Sequence, residues 1–166
     1  MKTVRIITLH LAYGGIEKAV CQMANLFAEK YDVEIISVYD MPDAPAFPID
    51  ERVRVRYLLD EIPNRDEWRD CARRKDVFGL ARESVKAARI LHDKKKAVID
   101  AISAIDEGVI ITTRPEHNVL LSKYGRPGVY KLGQLHQDHC FDKKLLDSFR
   151  RDYGGLDAFI LLTPGL

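Results

Sequence analysis

Short apolar runs of strand length alternate along this chain with stretches whose apolar residues recur every three or four positions, and few folds accept that order. Val4, Ile6, Ile7 and Leu9 make a nearly continuous run over residues 4–9. Such a run suits a central parallel strand buried on both faces. Ile16, Ala19, Val20, Met23, Ala24 and Phe27 then paint one stripe on a helix over about residues 15–30, expected to be core. A second apolar strand follows at 33–38, and Val53, Val55 and Tyr57 alternate with Arg54 and Arg56 in a third, half-exposed edge strand. Pro42, Pro45 and Pro48 make residues 41–49 a loop. Beyond it the pattern predicts a long helical stretch over about 73–105, with a possible break near 92–96, and a short strand at 109–111. Pro115 is placed to open a helix reaching about 124. A strand near 129–135, a helix near 143–152 and a strand at 158–162 complete the series.

Parallel strands joined through helices need right-handed crossovers that cover the sheet's faces, so the expected fold is α/β, a doubly wound and mostly parallel sheet. At 166 residues and 46% hydrophobic content the chain is the size of one domain with a sizeable core. It has no internal repeat. Lys2 and Arg5 interrupt the opening apolar run, which meets a Gly-Gly turn instead of continuing as a signal peptide would. No apolar run approaches the roughly 18 residues of a membrane span. Cys21, Cys71 and Cys140 are odd in number and scattered, which reads as a reduced, cytoplasmic protein. The final strand gives way to Thr163-Pro164-Gly165-Leu166 where a loop to another element would begin. Residues 1–166 are therefore expected to be one domain cut from a longer chain, the alternative being a natural end just past an edge strand.

Ligands of open α/β sheets bind outside the carboxyl ends of the strands, so the residues just after each strand are the ones to weigh. After the first strand comes His10-Leu11-Ala12-Tyr13-Gly14-Gly15-Ile16-Glu17. Gly14 and Gly15 let backbone approach a ligand, and the helix start behind them offers unpaired N–H groups to a phosphate; a plain tight turn is the competing reading. The Gly-x-Gly-x-x-Gly spacing of a dinucleotide site is missing, which disfavours a nicotinamide-dependent oxidoreductase. Asp40, after the second strand, is a weak candidate for a ribose contact. His136, His139 and Cys140 could suggest zinc, but their spacing supplies no fourth ligand, and no metal is expected.

The opening strand, Gly14-Gly15-Ile16-Glu17 and the apolar helix resemble the N-terminal signature of glycosyltransferase family 4. The resemblance continues through Ile111-Thr112-Thr113-Arg114 with Asn118, through Lys131-Leu132-Gly133-Gln134-Leu135-His136, and through the stretch from Asp157 to Pro164. It spans essentially the whole chain. It implies the Rossmann-like acceptor-side half of a GT-B enzyme, in which a second, C-terminal domain binds the nucleotide-sugar donor and transfer is retaining and metal-free. The basic pair and glutamate pair that serve the donor belong to that other domain, so residues 1–166 alone are expected to be inactive.

By the same resemblance, Tyr13, Arg114 and His136 would bind the acceptor, a cell-envelope polysaccharide, a lipid-linked sugar or a teichoic-type polymer. His136 would position it or relay a proton, since a near-neutral imidazole can give or take one; a structural histidine is the competing reading. Arg114 would meet a phosphate or carboxylate, or else only cap the sheet. A stand-alone Rossmann-like module that binds a nucleotide or a partner without chemistry is the alternative for the whole chain.

The net charge of +1 hides an asymmetry, since residues 73–96 carry nine basic side chains against three acids, leaving +6 there and −5 elsewhere. Lys75, Arg82, Lys86, Arg89 and Lys96 are spaced to share one helix face, with Phe78, Ala81, Val85 and Ala88 forming another stripe. That basic face is either solvated or rests on anionic lipid at the inner face of the plasma membrane. Nucleic acid is disfavoured because no aromatic stacking platform accompanies the charge.

Overall fold

The computed structural model of the chain describes residues 2–136, 147, 149 and 151–161. Its elements run β1 (Thr3–Thr8), α1 (Gly15–Phe27), β2 (Asp32–Tyr39), β3 (Arg54–Leu59), α2 (Arg65–Arg74), α3 (Val77–Ser103), β4 (Gly108–Thr112), α4 (Pro115–Tyr124), β5 (Val129–Leu135) and β6 (Ala158–Leu161). The six strands form one sheet in the order β3-β2-β1-β4-β5-β6, and every neighbouring pair is parallel. The expected doubly wound parallel sheet is the fold.

Alternation along the central strands explains why their sequences are apolar throughout. Ile6, Ile35 and Ile111 join Val20, Cys21 and Ala24 of α1 on one face of the sheet. Their chain neighbours Ile7, Ile36 and Ile110 join Ile90, Val98 and Ile102 of α3 and Leu121 of α4 on the other. Each isoleucine, leucine or valine among them, removed from water, contributes about 1.5–3 kcal/mol before the entropy of ordering is set against it. At the edge, Arg54 pairs with Asp32 at 2.9 Å and Arg56 with Glu34 at 3.0 Å, so β3 presents charge outward as its alternating sequence predicts.

Helix boundaries differ from expectation in one region. Residues 65–74 form α2, which the periodicity did not reveal, and the chain breaks at Lys75, whose φ of 58° is left-handed. Asp76 then caps α3 by accepting a hydrogen bond from the Gly79 amide at 2.9 Å. The new helix runs unbroken through 92–96, where the sequence allowed a break. Lys75 therefore lies off the α3 face that it was expected to share. Residues 147, 149, 151 and 152 are helical, and the rest of the helix expected at 143–152, together with Leu162 and Thr163–Pro164, lies outside the described residues.

The sheet order reverses between β1 and β4, which lie side by side. The chain leaves β1 for α1 on one face and β4 for α4 on the other, so their carboxyl ends diverge at the switch point, where sheets of this kind form a ligand crevice.

Candidate functional site

The crevice is built around Glu17, a carboxylate in the first turn of α1 that is only 3% exposed. Glu17 shares its helix face with Val20, Cys21 and Ala24, so the stripe that packs α1 on the sheet draws the carboxylate inward too. Across the crevice, Arg114 precedes Pro115, which holds it in extended backbone (φ −133°, ψ 146°) at the head of α4. Its Nη2 donates to Glu17 Oε1 at 3.3 Å, joining positions 97 apart in sequence.

Asn118 fixes this geometry. Its buried amide accepts from Thr112 Oγ1, and its Nδ2 donates to the Gln134 carbonyl at 3.1 Å and to Tyr153 Oη at 3.4 Å. Tyr153 in turn donates to the Pro115 carbonyl at 3.3 Å. One side chain thus ties the end of β4, the start of α4 and the end of β5 together, which gives Asn118 a structural reason to stand in the Thr112-Thr113-Arg114 motif.

Two histidines flank the pair. His10, just past β1, has Nδ1 at 3.5 Å from Glu17 Oε1 without the alignment of a hydrogen bond. His136, just past β5, places Nε2 at 3.1 Å from Gln134 Oε1, while Gln134 Nε2 donates to Met23 Sδ at 3.5 Å. A side-chain carbonyl can only accept, so Nε2 of His136 carries the proton and Nδ1 is the acceptor nitrogen of the neutral ring. Burial lowers the pKa of both histidines below the ordinary 6.5; the Arg114 charge lowers them further and Glu17 opposes both. At neutral pH both rings are uncharged. Arg114 Nε and His10 Nδ1 are buried without a hydrogen-bond partner among the described residues. Such groups are uncommon in folded proteins and mark places where water or a ligand completes the set.

The two glycines have different tasks. At Gly14, whose backbone is fully extended, an added Cβ would overlap the Glu17 carboxyl group, whereas at Gly15 it would enter open space with nothing within 4 Å. Gly14 makes room for the folded-back glutamate, whereas nothing in the fold around Gly15 requires a glycine there among the described residues. Because Glu17 occupies the first turn of α1, a phosphate expected at that helix start would meet a resident negative charge. Tyr13 stands beside them, 79% exposed, its ring edge-on to Phe47 at 6.3 Å.

The structure therefore brings Tyr13, Gly14, Gly15, Arg114 and His136 to one edge of the sheet. Glu17, His10 and Gln134 were missed as site residues; an acid inside an apolar helical stripe was the signal for Glu17. Asp40 is exposed just past β2. Lys75, Arg82, Lys86, Arg89 and Lys96 belong to the α2–α3 region instead. His139 and Cys140 lie outside the described residues.

No family model matches the chain. It is 33% identical over 177 residues to an exopolysaccharide phosphotransferase of Streptomyces coelicolor, an alignment covering 98% of this chain. The chain spans 18% of the length of that relative.

Proposed function

We propose that the chain is the acceptor-binding domain of a transferase that assembles a cell-envelope polysaccharide, and that the crevice between β1 and β4 holds the sugar end of the acceptor. One observation carries this reading, the pair of buried Glu17 and part-buried Arg114 flanked by two histidines that are neutral at pH 7. A sugar presents hydroxyls that both give and take hydrogen bonds. A carboxylate accepts, a guanidinium donates, and a neutral imidazole does either. The formal charges of Glu17 and Arg114 offset each other, which suits an uncharged polyol better than a phosphate, and Tyr13 offers an apolar ring to a sugar face. His136, neutral and with Nδ1 as acceptor, would position the attacking hydroxyl or take its proton. The likeness to an exopolysaccharide phosphotransferase supports the polysaccharide setting. In this proposal a second domain holds the nucleotide sugar and transfer is glycosyl, retaining and metal-free. The cytoplasmic face of the membrane is the place.

That relative's name favours a second reading, transfer of a sugar phosphate, in which the unpaired Nε–H of Arg114 would meet the phosphate. Amide and histidine NMR titrations of the chain separate the two. A neutral oligosaccharide, the same glycan phosphorylated, a nucleotide sugar and NAD are added in turn. The proposal expects saturable shifts at residues 14–17, Arg114 and His136 with both glycans at similar concentrations. Response to the phosphorylated glycan alone gives the second reading. Response to nucleotides irrespective of sugar makes the chain a stand-alone nucleotide module, and silence with every glycan sinks the proposal.

A further inference from the structure

The first half of α3 carries an apolar stripe that none of the described residues covers. Val77, Phe78 and Val85 are 75%, 91% and 72% exposed, with Ala81 and Ala88 exposed between and beyond them. The buried positions in this half, Gly79 and Glu83, face α2: Gly79 lies against Cys71, and Glu83 accepts from Asn64 Nδ2 at 2.8 Å. Helix α2 has no buried residue of its own. The two helices form a hairpin closed on itself along one side and open along the other.

Its place in the fold follows from connectivity. Helix α3 leads down to the start of β4, and its first residue in the sheet's core is Ile90, which packs with Tyr39 at the carboxyl end of β2. Val77 stands thirteen residues earlier, about 20 Å farther along the axis at 1.5 Å per residue. The hairpin therefore projects past the carboxyl edge, the edge that holds Glu17 and Arg114.

Cations border the stripe. Arg82 and Arg89 are 78% and 68% exposed although Arg82 reaches Glu83 at 3.0 Å and Arg89 reaches Glu61 at 2.9 Å. Lys86 also lies 3.8 Å from Glu61, so part of the basic face expected from sequence is neutralised locally. Arg74 and Lys75 stand at the hairpin's turn. An exposed aromatic and valine within a helical turn of guanidinium groups is the composition of a helix that lies in a bilayer interface.

We propose that the first half of α3 docks on an anionic lipid bilayer, with Phe78 and Val85 entering the headgroup boundary and Arg82 and Arg89 against lipid phosphates. The inference does not depend on the function proposed above. It adds that the crevice edge of the domain faces the membrane.

Vesicle co-sedimentation of the chain tests it, using phosphatidylcholine vesicles with and without phosphatidylglycerol, at low and high salt. The native chain binds the anionic vesicles more tightly, and binding weakens with salt as screening grows. Phe78→Ser with Val85→Ser, both at exposed positions, weakens binding at least about tenfold. Arg82→Gln with Arg89→Gln weakens it about fivefold per cation and flattens the salt dependence. Far-UV circular dichroism confirms that each variant keeps its helices. Equal sedimentation of the native chain and the Phe78/Val85 variant overturns the proposal, as does failure of the native chain to bind either vesicle. Concentration-dependent dimers abolished by the same two substitutions, without vesicle binding, would give the stripe to a second copy and overturn it equally.

Discussion

Replacing Arg114 by Met lowers the stability of the chain by about 3 kcal/mol, because it leaves Glu17 as an unpaired charge that is 4% exposed at the side chain. For a domain of this size that corresponds to a fall in melting temperature of roughly 6–12 °C. Exposed ion pairs behave differently and are worth about 0–1 kcal/mol. The double variant Glu17→Gln/Arg114→Met removes both charges and recovers most of the loss. Thermal melts of the two single variants, the double variant and the native chain close the cycle. A loss below about 1 kcal/mol in Arg114→Met would place the pair among ordinary surface bridges, in an environment too wet for the chemistry proposed.

The second large effect concerns His117, which lies on the inner side of α4 with no exposed surface and no hydrogen-bond partner for either ring nitrogen among the described residues. Burial, the dominant cause, pushes its pKa down to about 4 against an ordinary 6.5; Lys94 and Arg114 add to the lowering, and Glu116 opposes it. The unfolded chain therefore binds this proton before the folded one does. Stability from the neutral ring is complete above pH 6.5 and is lost as pH falls from 6.5 toward 4. The whole window is worth about 3 kcal/mol. In His117→Leu this contribution to the acid loss disappears, and at neutral pH the variant is as stable as the native chain or more so, since two unsatisfied polar atoms leave the core. Urea denaturation of both proteins at neutral pH and near the lower end of that window reads the difference. Equal losses on acidification would mean that the ring protonates in place without penalty, contrary to its burial.

What the sequence made legible follows the same physics. The central strands were visible because burial on both faces demands continuous apolar runs, as in Ile6-Ile7 and Ile35-Ile36. Helix α4 was visible because Pro115 fits only the first turn. Helix α2 was not, since Arg65-Asp66-Glu67-Trp68-Arg69-Asp70-Cys71-Ala72-Arg73-Arg74 buries no residue and offers only Trp68, Cys71 and Ala72 as apolar positions among seven charged ones. The break at Lys75 left one trace, Asp76 as an N-cap, which a reading that allowed a break only near 92–96 passed over. Within the crevice, Gly14, Gly15, Arg114 and His136 could be chosen because they follow strands. Glu17 and Gln134 gain their roles only when the sheet order brings β1, β4 and β5 together, and Arg114 lies 97 positions from its partner. Phe78 and Val85 formed a stripe in sequence, but its exposure depends on α2 occupying the other side of α3.

Gly15→Val distinguishes a β1–α1 loop that is an approach to a bound sugar from one that is only a turn. A side chain there enters open space in the fold, so the melting temperature stays within a few degrees of native. On the proposed reading that side chain stands where the glycan approaches Glu17 and Arg114, so glycan binding, measured by calorimetry or by the NMR shifts of residues 14–17, falls by at least about a hundredfold for a ligand excluded from contact. Unchanged stability with binding abolished is the expected result. Unchanged stability with glycan binding intact would contradict it and return the loop to a turn.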